Sequence, residues 1–398
     1  MDTINNQISI NYIDSPADLE TFCTRIEASS WLAIDTEFLR ENTYFPKFCL
    51  LQVANAEHVA CIDPLAIEDL SPLFDILYRP GIVKIFHSAG QDMEIFYNIR
   101  ASLPAPVFDT QLAAPLLGST EQISYAALVS EMLGVELLKA HTRTDWSKRP
   151  LSPAQINYAG NDVFYLARVY LKMHAQLASL GRLDWLSDDF TALLDPENYQ
   201  NPPDTAWQRI RGAHKLNERS LPILQSLADW RERTAYRNNI PRNWIVKDDE
   251  LLSIARLQPC QPDELRTLRG LHERAFKRYG KEICEVVGKA RDNPPVSSEF
   301  KFRTVQKSPQ RDALINLLSG VVHQIALEHS LNAATLAPKK DLDLLISEDP
   351  DSKLLRGWRK AIAGEQLLAI LRGDRMIAIR NGVIHLESRP TADDGADN

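Results

Sequence analysis

The chain has 398 residues, of which 44% are hydrophobic and 25% are charged, so it is long enough for two or three domains of ordinary globular composition. No apolar run approaches the roughly 18 residues of a membrane-spanning helix, and the residues after Met1 lack the basic and apolar regions of a secretory signal. The five cysteines are scattered without a Cys-x-x-Cys spacing, which argues against structural zinc and a disulfide framework. We therefore expect a cytoplasmic protein with no membrane partner.

The net charge of −8 is unevenly distributed along the chain. Residues 1–200 carry 13 Lys or Arg and 26 Asp or Glu, a net of −13, whereas residues 201–398 carry 32 and 27, a net of +5. Residues 207–281 alone hold 16 basic and 9 acidic side chains, a net of +7. Charge balance between neighbouring domains would explain this asymmetry, and so would an acidic metal site next to a module that holds a polyanion.

The first half of the chain reads as strands with intervening helices. Alternating or apolar runs predict strands at residues 8–13, 31–38, 48–54, 58–62 and 82–86. The second, third and fourth of these are joined by short turns, which indicates an antiparallel meander. Ser15 and Pro16 begin one helix, and another is expected near 66–78. This order predicts an α/β domain with a mixed sheet.

Two carboxylates lie at the end of the second predicted strand. Asp35 and Glu37 are two residues apart, and side chains at i and i+2 of a strand point to the same face. Two buried anions on one face repel each other unless a cation lies between them, and hard oxygen ligands suit Mg²⁺ or Mn²⁺. An isolated Asp-x-Glu is more often the solvated end of a strand, so a metal site requires further carboxylates nearby.

Further candidate side chains follow in order. Asp92 is predicted in the first turn of a helix that Ser88 caps, at a strand-to-helix junction where open α/β sheets place active sites. An acid in a first turn also simply stabilises a helix. His87, which precedes this helix, is either a site residue or a core histidine with satisfied hydrogen bonds. For Asp109 we favour a structural role, as the cap of the next helix.

A long helix with a capping box is predicted from Ser152, Pro153 and Gln155. Tyr158 and Asp162 lie on it at i and i+4, so they share one face, although core packing alone would also produce this pattern. Beyond it, prolines near residues 196–203 indicate a linker, and a basic helical region follows. A second gap at about 292–309 separates this region from a helical stretch at about 310–370 and a short segment at 376–386.

The order of these acids resembles the DEDD exonuclease superfamily, which has an Asp-x-Glu on an early strand, an Asp at a later junction and a final Asp on a helix. The tyrosine subclass is indicated, because Tyr158 is present and Asn157 stands where the other subclass has histidine. The segments 38–47 (Phe-Leu-Arg-Glu-Asn-Thr-Tyr-Phe-Pro-Lys) and 145–152 (Asp-Trp-Ser-Lys-Arg-Pro-Leu-Ser) are similar to ribonuclease D.

The basic helical region also resembles a known module. Trp207, Leu221, Trp230-Arg-Glu and Pro241-Arg242 are similar to an HRDC domain, and a divergent second copy would follow. The resemblance implies an RNase H-like mixed-sheet exonuclease domain at 1–195 and two all-α HRDC-type helical domains at 204–292 and 308–390.

The resemblance also implies roles for the candidate residues. Two divalent ions, Mg²⁺ or Mn²⁺, would be held by Asp35, Glu37, Asp92 and Asp162. Asp35 would bridge both ions, Glu37 and Asp162 would hold the ion on the nucleophile side, and Asp92 would serve the other. Tyr158 would orient the attacking water. The family pattern further assigns contacts with the terminal nucleotide to Thr36 and Phe38, and His87 is an additional candidate.

By the same resemblance, the chain is expected to be a metal-dependent 3′→5′ exoribonuclease. It would trim 3′ extensions of structured RNAs, chiefly tRNA precursors, release nucleoside 5′-monophosphates and act as a monomer on RNA 3′ ends. One alternative is an exonuclease that acts mainly on DNA. Another is a catalytically silent nucleic-acid-binding scaffold, which a missing acid would favour, but all four acids are present. A helicase is not expected, because no GxxxxGK[ST] loop occurs.

Overall fold

The computed structural model describes residues 9–137, 144–266, 273–292 and 308–389. Its first region contains a six-stranded sheet formed by β1 (Ile10–Ile13), β2 (Trp31–Leu39), β3 (Lys47–Ala54), β4 (Val59–Ile62), β5 (Val83–Phe86) and β6 (Val107–Asp109). The strand order is β1-β4-β3-β2-β5-β6, with β2, β3 and β4 antiparallel and the other pairs parallel. The predicted mixed sheet and its antiparallel meander are confirmed.

Helices cover both faces of this sheet. They are α1 (Pro16–Ile26), α2 (Ser71–Leu77), α3 (Gly90–Arg100), α4 (Thr110–Ala113), α5 (Tyr125–Leu133), α6 (Pro153–Ser179) and α7 (Ser187–Leu193). Leu32 and Ile34 of β2 pack in the core shared with α1, α2 and α3, whereas Ala33 packs in the core on the α6 side. This alternation follows from the two-residue period of a strand, and it directs Asp35 and Glu37 toward α6.

The starts of the helices follow the sequence signals except at α3. Ser15 caps α1, and the capping box of Ser152 begins α6, as predicted. The prediction of Ser88 as N-cap of α3 is wrong: the N-cap is Ala89, it has no side-chain cap, and Ser88 lies at φ 63°. Asp109 instead accepts hydrogen bonds from the amides of Ser88 (3.0 Å) and Ala89 (2.8 Å) while it caps α4, the role predicted for it.

The basic region forms a helical unit with its own apolar core. Its helices are α8 (Leu221–Asn238), α9 (Arg242–Ile245), α10 (Asp248–Leu257), α11 (Pro262–Leu265) and α12 (Glu273–Arg291). Short 3₁₀ turns at Pro196–Asn198, Pro203–Arg209 and Ala213–Lys215 connect this unit to the first region. Leu224, Leu227, Ile254 and Ile283 are among its fully buried residues. None of the described helices is both long and apolar enough to cross a membrane.

The last region contains α13 (Pro309–Glu328), α14 (Ala333–Leu336), α15 (Lys339–Ile346), α16 (Gly357–Arg359), α17 (Glu365–Arg372), β7 (Arg375–Arg380) and β8 (Val383–Ser388). The predicted helical character is confirmed for most of it, but the all-α prediction is wrong at its end, where β7 and β8 form an antiparallel hairpin. Asn381 and Gly382, at φ 53° and 78°, form the turn between these strands. The gap predicted at 292–309 lies largely outside the described residues.

This last region packs directly on the first. Trp185 and Trp358 stack with ring centroids 4.6 Å apart and an interplanar angle of 6°. The guanidinium of buried Arg182 donates to the carbonyls of Leu116 and His329, both at 2.6 Å, and so joins the two regions. One continuous apolar core therefore extends from α5 and α6 into α13.

Candidate active site

The position of the site follows from where β2 loses a neighbouring strand. Residues Trp31, Leu32 and Ala33 pair with β5, but the chain leaves β5 at Phe86 and then forms α3. Beyond Ala33, β2 therefore pairs only with β3, and its other edge faces α3. Asp35 and Glu37 lie in this part.

Three of the four predicted acids meet on the α6 side of the sheet. One carboxylate oxygen each from Asp35, Glu37 and Asp162 lie within 4.8 Å of one another. α6 makes this possible because it crosses the sheet over β2, β3 and β4. Asp92 reaches the same place from α3, close enough for Asp35 to raise its pKa and for its own charge to raise the pKa of Glu37.

The cluster strongly resists full ionisation. Burial raises the pKa of Asp35 to about 7, and burial together with the charges of Asp35, Asp162 and Asp92 raises the pKa of Glu37 to about 9. Burial and the charge of Asp35 also hold the pKa values of Asp92 and Asp162 well above the ordinary range. A divalent cation held by these acids would offset the cost of ionising them, and carboxylate oxygens are the ligands that Mg²⁺ and Mn²⁺ prefer.

Thr36 holds Asp92 in place. Its side chain points to the opposite face from Asp35 and Glu37, is 6% exposed, and donates from Oγ1 to Asp92 Oδ1 at 2.5 Å. The hydroxyl of Thr36 is thus engaged within the protein, which leaves its backbone as the part available to a nucleotide. Phe38 is partly exposed and lies at a bulge, where the pairing of β2 with β3 shifts between Glu37 and Phe38.

Tyr158 is placed by the segment around Trp146. Trp146 is buried and packs against Tyr158 with ring centroids 6.3 Å apart. Arg149 fixes this segment because it donates to both carboxylate oxygens of Asp63, at 2.5 and 2.7 Å, and to the carbonyl of Cys49 at 2.6 Å. Burial and the neighbouring acids raise the pKa of Tyr158, so the phenol stays protonated.

His87 has the structural role that the sequence left open, that of a histidine whose hydrogen bonds are satisfied inside the protein. Its Nδ1 lies 3.0 Å from Thr110 Oγ1 and its Nε2 lies 3.1 Å from the carbonyl oxygen of Ile123. Burial lowers its pKa, which favours the neutral ring. Both ring nitrogens therefore have partners inside the protein, and a nucleotide would have to displace one of them.

Tyr125 is a supporting residue that the sequence did not reveal. Its buried hydroxyl donates to the backbone carbonyl of Asp162, and its ring packs 5.4 Å from that of His87. It thus fixes the turn of α6 that carries the last acid. Its only local signal is a position at the start of a helix, directly after the cap Ser124, which indicates nothing about a partner 37 residues later.

Comparisons with known proteins agree with this site. A family model described as 3′-5′ exonuclease matches residues 10–178, and one described as HRDC domain matches residues 220–287. Ribonuclease D of Granulibacter bethesdensis is 38% identical over 382 residues, which cover 94% of this chain and 95% of that protein. Ribonuclease D of Gluconacetobacter diazotrophicus is 39% identical over 371 residues, 92% and 94% of the two chains.

One solved structure is similar to this chain over most of its length. The crystal structure of Escherichia coli RNase D, described as an exoribonuclease involved in structured RNA processing, superimposes with a TM-score of 0.80. It is 32% identical and covers 92% of this chain and 99% of its own. These similarities extend over the exonuclease region, the HRDC domain and most of the last region. The chain therefore belongs to the ribonuclease D family of 3′→5′ exoribonucleases of the DEDD type.

Proposed function

We propose that this 3′→5′ exoribonuclease trims 3′ extensions of structured RNAs, chiefly tRNA precursors, and releases nucleoside 5′-monophosphates. The observation that carries the proposal is the convergence of Asp35, Glu37 and Asp162 oxygens within 4.8 Å, with Asp92 held beside them by Thr36. The choice of structured RNA is supported by the description of the Escherichia coli relative.

The DEDD family implies dependence on divalent metal, and the four acids would hold two ions, Mg²⁺ or Mn²⁺. Asp35 is the candidate for the bridging ligand, with Glu37 and Asp162 on one side and Asp92 on the other. When bound, the ions lower the pKa of the attacking water and stabilise the leaving oxyanion. The donor set supports this assignment, because none of these four carboxylates, whose pKa values are raised, forms an ion pair with a basic side chain among the described residues.

The remaining site residues would position the substrate and the water. Tyr158, whose raised pKa makes it a poor base, would orient the water through its hydroxyl. Phe38 and the backbone of Thr36 would contact the terminal nucleotide. We assign no hydrogen bond with the substrate to His87, because both of its ring nitrogens are already engaged.

The domain bounds that we propose are those predicted from the sequence. We place the exonuclease domain at 1–195, the HRDC domain at 204–292 and a divergent HRDC-like domain at 308–390, and we expect a monomer. A cytoplasmic location stays a prediction, supported by five cysteines that are all free thiols.

The test uses a 3′-extended tRNA labelled at its 5′ end. Wild type and Asp35→Asn are each incubated with Mg²⁺ or with EDTA, and single-stranded DNA of the same 3′ sequence is tested in parallel. The proposal expects a ladder that shortens from the 3′ end, is faster on RNA than on DNA, and disappears with EDTA and with Asp35→Asn. RNA that is retained in a gel shift but never shortened would contradict it and favour a binding scaffold.

A further inference from the structure

A cavity of about 560 Å³ opens in the HRDC domain between α9 and α12. Trp244, which lies at this cavity, is 58% exposed. Aromatic side chains are enriched at binding surfaces, and this indole lies at a cavity. Trp244 therefore offers a flat surface on which a planar group can stack.

Two buried polar groups without partners lie at the same cavity. Tyr279 is 5% exposed and Glu250 is 7% exposed, and both line the cavity. Within the described residues, the Tyr279 hydroxyl and Glu250 Oε1 have no hydrogen-bond partner. Buried polar groups are normally paired, because an unpaired one destabilises the fold. Both atoms are themselves closed to solvent, so the polar edge of a ligand reaches them only when the cavity wall shifts.

Both groups are held in fixed positions. The other oxygen of Glu250, Oε2, accepts from the amide of Lys247 at 2.8 Å, as in a capping box, so the carboxylate is bound to the start of α10. The ring of Tyr279 packs edge-on against Trp230 with centroids 5.8 Å apart.

The cavity also has cations available for phosphate. Lys247 and Arg278 line it, and neither forms an ion pair with any part of the chain that the structure describes. Of the acids at the cavity, Glu273 pairs with Lys277 at 3.4 Å, and Glu250 is the cap described above. Two unpaired cations beside a stacking surface are typical of sites for single-stranded nucleic acid.

A route leads from this cavity to the carboxylates. Asn243 lines it and also lines a cleft of about 740 Å³ between the HRDC domain and the exonuclease region. That cleft is bordered by Gly90 and Glu94, which flank Asp92 on α3, and by Arg40. Arg40 follows Glu37 by three residues, roughly 10 Å along an extended chain. A strand that leaves the site can thus pass through the cleft to Trp244.

We propose that the Trp244 cavity binds a nucleobase of the single-stranded 3′ extension, upstream of the bond that is cut. The base stacks on Trp244, its polar edge meets Glu250 and Tyr279, and the adjacent phosphates lie near Lys247 and Arg278. The proposal rests on the proposed function, since it requires RNA in the exonuclease site. A carboxylate only accepts hydrogen bonds, so the edge that meets Glu250 is a donor: the exocyclic amino group of adenine, cytosine or guanine, or the imino N–H of uracil.

The test measures binding of the full chain, in EDTA, to 5′-labelled oligo(A), oligo(C) and oligo(U) of equal length. Trp244→Ala weakens binding by about 5- to 100-fold, the effect of losing one stacked base. Tyr279→Phe weakens it by about 5-fold without lowering the unfolding temperature, because the lost hydroxyl has no partner inside the protein.

Two controls separate this subsite from the active site. Leu257→Ala removes another exposed apolar side chain of the same domain, 43% exposed and outside the cavity, and leaves binding unchanged. With Mg²⁺, the kcat/KM for a dinucleotide too short to reach Trp244 is the same in all variants. Wild-type affinity in both Trp244→Ala and Tyr279→Phe overturns the subsite even if RNA is degraded. A wild type that neither binds nor shortens RNA overturns the proposed function as well.

Discussion

The hydroxyl of Thr36 donates a hydrogen bond of 2.5 Å to Oδ1 of Asp92, and this contact joins β2 to α3. Thr36 lies between Asp35 and Glu37 in sequence but faces the opposite side of the strand. One short segment of β2 thus supplies two acids to the cluster on one face and positions a third acid from the other face.

Removal of this hydrogen bond should impair catalysis more than binding. Thr36→Val keeps the shape of the side chain but leaves Asp92 without its donor, so the carboxylate loses its orientation. We expect kcat to fall about 10-fold or more with little change in KM, as for other residues that orient metal ligands. Thr36→Ser should restore most of the rate, since serine supplies the hydroxyl. Equal rates for valine and serine variants would show that the contact has no role.

The stability of the metal-free protein should fall as the pH rises. Asp35 and Glu37 have folded-state pKa values of about 7 and about 9, above their unfolded values near 4. The folded state therefore binds more protons, and this contribution to stability, complete below the unfolded pKa, is lost as the pH rises through the folded values. In EDTA, the unfolding temperature should decrease between about pH 5 and pH 9.

Added Mg²⁺ and the substitution Asp35→Asn should each reduce this pH dependence. Mg²⁺ should raise the unfolding temperature most at high pH, where the acids are ionised and the ion binds the folded state. Asp35→Asn should flatten the dependence measured in EDTA, because one titrating acid is removed. An unfolding temperature that rises with pH in EDTA would contradict the assignment.

The HRDC domain should stabilise the loop that follows the catalytic strand. Tyr44 donates its hydroxyl to Glu232, which is 1% exposed, and Asn239 Oδ1 accepts from the amides of Tyr44 (3.0 Å) and Phe45 (3.2 Å). Tyr44→Phe leaves a buried carboxylate with one donor fewer and should destabilise the chain by about 1–3 kcal/mol. Asn239→Ala should accelerate hydrogen exchange at these two amides, whereas unchanged exchange would mean that the loop is fixed without the HRDC domain.

The close approach of α6 to β1 predicts opposite effects for two glycine substitutions. A Cβ on Gly160 would lie 2.6 Å from side-chain atoms of Ile10, so Gly160→Ala should destabilise the protein by about 1–3 kcal/mol despite the better helix propensity of alanine. Gly288 in α12 has nothing within 4 Å of such a Cβ. Gly288→Ala should therefore stabilise the helix by about 0.5–1 kcal/mol. Denaturant unfolding compares the two variants, and a stabilised Gly160→Ala would contradict the packing described.

Local sequence patterns predicted those parts of the site that depend on short spacings. The i, i+2 relation of Asp35 and Glu37, the i, i+4 relation of Tyr158 and Asp162 and the capping box of α6 all follow from the periods of strands and helices. The meander around β2 was predictable for the same reason. The resemblance to DEDD exonucleases then linked acids that no local rule connects.

Contacts between distant segments were not predictable in this way. The hydrogen bonds from Thr36 to Asp92 and from Tyr125 to Asp162 join residues 56 and 37 positions apart, and only the packing of helices on the sheet brings them together. Ser88 does not cap α3, and its amide and that of Ala89, just before α3, instead donate to Asp109, about 20 positions along the chain. The hairpin at Asn381 was missed although Asn-Gly between alternating residues is a strong local signal.

The most direct test of the account is a calorimetric titration of Mn²⁺ into the full chain with a nucleoside 5′-monophosphate present. Wild type should bind two ions, and Asp35→Asn should lose high affinity for both, because this acid is assigned to bridge them. Asp75→Asn, which changes an acid with a 66% exposed side chain on α2, serves as the control and should bind as wild type does. Two ions bound as tightly by Asp35→Asn as by wild type would contradict the central claim.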